Sequence, residues 1–193
     1  MLRNLLFLAF LAASFCTWST SNINTLDAGK VTAGDKPIVL LGSPVSLGQQ
    51  APNFKVVDDK FSPISLDNFT DKNILISVVP SLDTGVCSLQ TKFFNEKLAI
   101  EHPNLVMLTI SADLPFAQKR FCTAENIDKV ITLSDSVWHD FGQNYGLMIQ
   151  DMGLLTRAVF LLNKQHKIVY KQLVPSLSQE PDYISVQAAV KKL

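Results

Sequence analysis

The sequence predicts an α/β fold with a mixed central sheet flanked by helices. Two observations carry this. Asn73–Pro80 and Asn104–Ser111 are continuous apolar, β-branched runs of the kind buried on both faces of a parallel sheet, and a helical pattern separates them. Arg157–Asn163 and Lys167–Val174 are apolar runs joined by a short polar turn, which reads as an antiparallel hairpin.

The elements follow in chain order. Gly29–Gly42 places two β-prone runs around Gly34-Asp35, an N-terminal hairpin, and Pro52–Val57 offers a further short strand. After the first buried strand, Val86, Leu89, Gln90, Phe93, Phe94, Lys97 and Leu98 recur at helical spacing. The unit from Asn73 to Ser111 is therefore βαβ. A helix over Pro115–Ala124, a strand over Val130–Leu133 and a helical stretch around Ser136–Tyr145 come next. A helix from Glu180 onward, with Pro181 in its first turn, closes the chain.

A length of 193 residues with 47% hydrophobic content supports one substantial core. Residues 22–193 are expected to form a single domain. Residues 1–21 read as a secretory signal: Arg3, an apolar stretch from Leu5 to Phe15, then small residues, with cleavage after Ser14, Ser19 or Ser21. The stretch is short for a membrane span, so the mature chain is expected to be exported without stable membrane insertion. Cys16 follows Ala13 and bulky Phe15 in "ASFC", which departs from a lipoprotein signal. The 17 basic and 17 acidic residues balance and form no basic cluster, which argues against nucleic acid as a partner.

Two cysteines remain beyond the leader, Cys87 and Cys122, in no C-x-x-C arrangement. In an oxidising compartment they could form a structural bridge. Cys87 also has a chemical reading. It follows a buried strand and the turn Ser81–Gly85 and falls in the first turn of a helix, where unpaired N–H groups and the helix dipole favour an anion and hence the nucleophilic thiolate. Position alone favours the other reading, a packed core thiol behind an ordinary Asp83 or Thr84 cap. Arg157, beginning an otherwise apolar strand, is either a surface arginine at a strand end or a charge at the mouth of a core strand that needs a partner. His102, His139 and His166 lack metal-ligand spacing, and no phosphate loop, dinucleotide fingerprint or serine-hydrolase elbow occurs.

The spacing P-x-x-x-T-x-x-C at Pro80, Thr84 and Cys87 resembles the active-site motif of the peroxiredoxins. "PSLDTGVC" is similar to their bacterial, atypical two-cysteine thiol peroxidase subgroup. "SADLPFAQKRFC" resembles that subgroup's resolving-cysteine segment, and "RAVFLLN" its arginine-bearing strand, so the likeness spans roughly residues 29 to 193. The resemblance implies a thioredoxin-like fold and a peroxidase for hydrogen peroxide and organic hydroperoxides. In it, Cys87 is peroxidatic, Cys122 resolving, Thr84 and Arg157 are donors to the reacting atoms, and Pro80 shapes the pocket. It further implies no metal, flavin or haem, re-reduction by thioredoxin or a thioredoxin-like protein, a homodimer, and, with the leader, a bacterial periplasmic location. The competing reading is a non-catalytic exported binding module stapled by a Cys87–Cys122 disulfide.

Overall fold

Residues 30–193 are described in a computed structural model; the expected leader and Cys16 lie outside the described residues. The predicted N-terminal hairpin is present as β1 (Val31–Ala33) paired antiparallel with β2 (Lys36–Ile38). Its turn uses Gly34 at φ 61°, a left-handed conformation glycine adopts without steric cost. β3 (Leu40–Leu41) then pairs with a segment from the far half of the chain, Met148–Ile149, in a second two-stranded sheet.

The main sheet is built from β4 (Lys55–Val57), β5 (Pro63–Ser65), β6 (Ile74–Val78), β7 (Val106–Ser111) and β8 (Ile131–Ser134). With Met148–Ile149 as β9, it is completed by β10 (Ala158–Leu162) and β11 (Ile168–Leu173). The spatial order is β11-β10-β6-β7-β8-β4-β5. β6, β7 and β8 run parallel; the remaining pairings are antiparallel. The fold is the mixed, thioredoxin-like sheet that the sequence predicts.

Every residue of β6 and β10 is buried, because helices and loops cover both faces of the sheet centre. Strand alternation divides their side chains between two cores. Ile74, Ile76, Val78 and Phe160 pack with Phe141 and Tyr145 on one face, and Leu75, Val79, Val159 and Leu161 pack with Cys87, Phe94 and Val186 on the other.

The helices are α1 (Gly85–Phe93), continuing through a π turn (Phe94–Leu98) into α2 (Ala99–Glu101), then α3 (Pro115–Ala124), α4 (Asp140–Tyr145) and α5 (Tyr183–Val190). Three details differ from the expectations. α4 starts at Asp140 rather than near Ser136, because the Asp135 carboxylate accepts from the Phe141 and Gly142 amides at 3.0 and 2.9 Å and fixes the helix start there. Pro181 precedes the N-cap of α5 instead of lying in its first turn; Asp182 is the cap, its Oδ1 accepting from the Ser185 amide at 3.1 Å. Leu89, assigned to the apolar face of α1, is 55% exposed, and the buried side chains between Cys87 and Phe94 are Gln90 and Thr91.

Candidate active site

β6 ends at Val78, and the chain reaches α1 through Val79–Thr84. Pro80 is buried in this connection. Thr84 has extended backbone angles (φ −109°, ψ 144°) and occupies the N-cap of α1, yet its side chain makes no capping bond to the helix. Its hydroxyl lies 2.9 Å from Cys87 Sγ and 3.0 Å from the Ser81 carbonyl. A hydroxyl has one proton. Beside a Cys87 thiol it can donate to Ser81 and accept the S–H; beside a thiolate it can rotate and donate to sulfur.

Cys87 is fully buried, in the first turn of α1, and faces the core shared with Phe94, Leu161 and Val186. The sulfur thus has both properties the sequence left open, a packed environment and a helix start.

Arg157 supplies the second donor. It lies immediately before β10 and is only 1% exposed, one of the largest fully buried side chains of the molecule. Nη1 donates to Gln90 Oε1 at 2.7 Å, and Nη2 donates to Cys87 Sγ at 3.3 Å and to the Leu177 carbonyl at 2.9 Å. No carboxylate pairs with it among the ion pairs of the described residues, and Nε has no hydrogen-bond partner. Burying a guanidinium costs several kcal/mol of hydration. Neutral acceptors offset part of that cost, and the Cys87 sulfur is the remaining group within reach of the guanidinium.

Gln90 is the functional residue that sequence reasoning missed. One helical turn beyond Cys87, it accepts from Arg157 and donates through Nε2 to Ser77 Oγ at 2.8 Å, so β6 holds the amide and the amide holds the guanidinium. Its only signal in the sequence is a polar residue in line with Cys87 and Phe94 on a helix face that is otherwise read as apolar.

Cys122 is not bonded to Cys87, although it packs against the same core cluster. It sits on α3, half-buried, with Sγ 3.4 Å from Thr132 Oγ1, and both cysteines are free thiols. Burial pushes the Cys122 thiol above its ordinary range; the Thr132 hydroxyl opposes this, and the negative charge of Asp59 adds to it. The two cysteine segments are linked by the exposed pair Arg120–Asp83 at 3.5 Å, of small energetic weight, and by the half-buried pair Lys92–Glu125. A firmer link comes from Asn95, which donates to the Asn126 carbonyl at 3.3 Å and accepts from the Asp128 and Lys129 amides at 3.1 and 2.8 Å.

Among the described residues, no three His, Cys, Asp or Glu side chains gather as a metal site. The groove lined by Asn73, Asn163, Lys164, Tyr170 and Lys192 opens at the other end of the sheet, where β6 begins and β10 ends.

A thioredoxin-like sheet that presents a buried thiol at the start of the helix after the interior strand β6, between a threonine hydroxyl and a buried arginine, defines a thiol-based redox protein. The chain belongs to the Redoxin family, whose pattern matches residues 46–186. It is 49% identical over 162 residues to the thiol peroxidase of Staphylococcus epidermidis, covering 84% of this chain and 96% of that protein. It is 46% identical to the thiol peroxidase of Oceanobacillus iheyensis, covering 84% and 98%. The crystal structure of a peroxiredoxin-like protein from Aquifex aeolicus superposes with a TM-score of 0.79 at 38% identity, covering 86% of this chain and 97% of that one. The protein is accordingly a peroxiredoxin-type, thiol-dependent peroxidase.

Proposed function

We propose that the enzyme reduces hydrogen peroxide and organic hydroperoxides through a Cys87 sulfenic acid that Cys122 resolves as an intramolecular disulfide. The observation that carries this reading is the Cys87 sulfur itself, buried with one hydroxyl donor at 2.9 Å and one cationic donor at 3.3 Å. In the first step the thiolate attacks one peroxide oxygen, the O–O bond breaks, and the departing oxygen takes up a proton as alcohol or water. Cys87 is thereby oxidised by two electrons to S–OH. Thr84 and the unpaired amides of the first turn of α1 are neutral donors for the two oxygens, and Arg157 is the fixed positive charge beside them. Pro80 has no N–H to offer and closes the pocket wall.

In the second step the Cys122 sulfur attacks Cys87 Sγ, the S–O bond breaks, and water leaves with the Cys122 proton. A disulfide needs Cα atoms within about 7 Å. Cys87 is fully buried and Cys122 packs half-buried against the same core without being bonded to it, and local opening of the ends of α1 and α3 is the motion that would join them. The disulfide is then one phase of a cycle rather than a permanent staple, in keeping with the free thiols of this structure. A dithiol protein, thioredoxin or a thioredoxin-like protein, returns the enzyme to the reduced state. The pattern of residues 1–21 supports export to a bacterial periplasm of a mature protein spanning 22–193, and family membership supports a homodimer. No helix among the described residues is long and apolar enough to cross a membrane.

The test is to mix reduced protein with one equivalent of hydroperoxide and follow thiols and mass. Two thiols should disappear within seconds, and Cys122→Ser should instead stop at a sulfenic acid on Cys87, one oxygen heavier. Loss of no thiol, or a Cys122→Ser protein that a sulfenate-selective probe does not label, would rule the assignment out.

A further inference from the structure

The carboxylate of Asp113 touches neither cysteine, yet both cysteine segments hang from it. Asp113 lies in the short connection between β7 and α3. Oδ1 accepts from Ser81 Oγ at 2.7 Å, and Oδ2 accepts from the Leu82 amide at 2.7 Å and from Ser111 Oγ at 2.8 Å. Its backbone carbonyl accepts from Ser134 Oγ at 2.6 Å.

From this node one chain of bonds runs to Cys87. The Ser81 carbonyl accepts from the Thr84 amide at 3.2 Å and hydroxyl at 3.0 Å, and the same hydroxyl reaches Cys87 Sγ. A second chain runs to α3. Ser111 Oγ, fully buried, accepts from Gln118 Nε2 at 2.9 Å, and Gln118, 1% exposed and one helical turn before Cys122, also donates to the Leu133 carbonyl at 2.9 Å. The acceptor is a carboxylate and the donors are short, so these are charge-assisted bonds, stronger than their neutral counterparts.

We infer that Asp113 is a positioning residue that latches the closed, peroxide-reactive arrangement and thereby sets how a Cys87 sulfenic acid divides between resolution and overoxidation. The inference rests on the reading of Cys87 and Cys122 given above. Disulfide formation requires the Cys87 turn or α3 to leave its packed position, and either departure breaks bonds to or through Asp113. While the latch holds, the sulfenic acid stays in the pocket and can meet a second hydroperoxide. That peroxide gives up one oxygen to sulfur, its O–O bond breaks, alcohol or water leaves, and Cys87 becomes a sulfinic acid. A tighter latch favours this branch, and a looser latch favours the disulfide.

Asp113→Asn keeps the shape and removes the charge. Ser81→Ala removes a single donor and leaves the other Asp113 bonds intact, so it reports even if the first variant folds poorly. For each protein the product is disulfide or sulfinic acid, counted by mass spectrometry across a series of hydrogen peroxide concentrations in one turnover. Loss of one charge-assisted hydrogen bond shifts an opening equilibrium about tenfold or more, so the peroxide concentration that converts half of the protein to sulfinic acid should rise about tenfold or more in either variant. A variant that is merely damaged would react more slowly at Cys87 and divide its products as before. An unchanged division in the folded variants, or a shift toward sulfinic acid, overturns the role of Asp113. A wild-type protein that forms no Cys87–Cys122 disulfide overturns the functional reading instead, so the two failures are distinguishable.

Discussion

Replacing Arg157 with glutamine tests the electrostatic core of the site. Nη2 sits 3.3 Å from Cys87 Sγ and the side chain is 1% exposed, so solvent screens the pair weakly. Unit charges at that separation attract by about 5 kcal/mol at an effective dielectric constant of about 20, an upper bound before the cost of desolvating both. Removing one preorganised donor from a developing anion typically costs about 10²- to 10³-fold in rate, and this is the expected fall in the second-order rate constant with hydrogen peroxide. The assay is stopped-flow mixing of reduced Arg157→Gln with excess peroxide, quenched by a thiol-alkylating reagent, with circular dichroism confirming the fold. Arg157→Lys should recover only part of the loss, since an ammonium cannot hold Gln90, Leu177 and the sulfur together as the fork does. A folded glutamine variant slowed less than about tenfold would refute the reasoning, because the charge would then be dispensable.

Thr84→Val removes the hydroxyl that lies 2.9 Å from the sulfur, and should slow peroxide reduction about 10²-fold while Thr84→Ser restores most of it; equal rates in valine and serine variants would exclude the hydroxyl. Gln90→Leu strands Arg157 Nη1 and Ser77 Oγ in the core and should cost about 2–4 kcal/mol in urea denaturation, the penalty for breaking a buried, charge-linked pair of bonds; a loss within error of zero contradicts the geometry. The Cys122 thiol is raised by burial, so in a Cys87→Ser background its alkylation by iodoacetamide should titrate above a free cysteine, and a midpoint at or below that value fails the prediction. Burial also pushes the Asp135 carboxyl up to about 6 despite two amide donors. The folded state then holds that proton more tightly than the unfolded chain, where the group titrates near 3.9. Its stabilising contribution is complete below about pH 4 and lost as pH rises through about 6, so Asp135→Asn should flatten the fall in stability across that window, and an unaltered slope would refute it.

Much of the fold was legible because β6 and β10 need cover on both faces, and continuous runs such as Ile74–Val79 and Ala158–Leu162 say so without reference to anything distant. Pro80, Thr84 and Cys87 were legible for a different reason, since the whole arrangement falls within one turn and the first turn of one helix. Arg157 announced itself by contrast with the apolar residues after it. The β3–β9 pairing left no trace because two-residue strands are too short to alternate, and the start of α4 depends on a carboxylate that packs against it only in the folded chain.

The failure at α1 is the instructive one. Val86, Leu89, Gln90, Phe93, Phe94, Lys97 and Leu98 recur at helical spacing, and the helix does bury Gln90, Phe94 and Leu98, but it also turns Thr91 and Asn95 inward and leaves Leu89 in solvent. Burying polar side chains is unfavourable unless each finds a partner, so apolar periodicity gives no reason to bury Thr91 and Asn95 and no role for Gln90. Their partners are Arg157 and Ser77 for Gln90, the Cys87 carbonyl for Thr91, and the backbone after α3 for Asn95. Two of these three sets of partners lie far away in sequence and the first exists to hold a guanidinium beside a thiol. A helix whose buried face is polar at these positions is a poor choice for stability alone. It becomes intelligible once the same face must position Arg157 and tether the segment that carries Cys122, and the π turn at Phe94–Leu98 falls where the helix passes from the first task to the second.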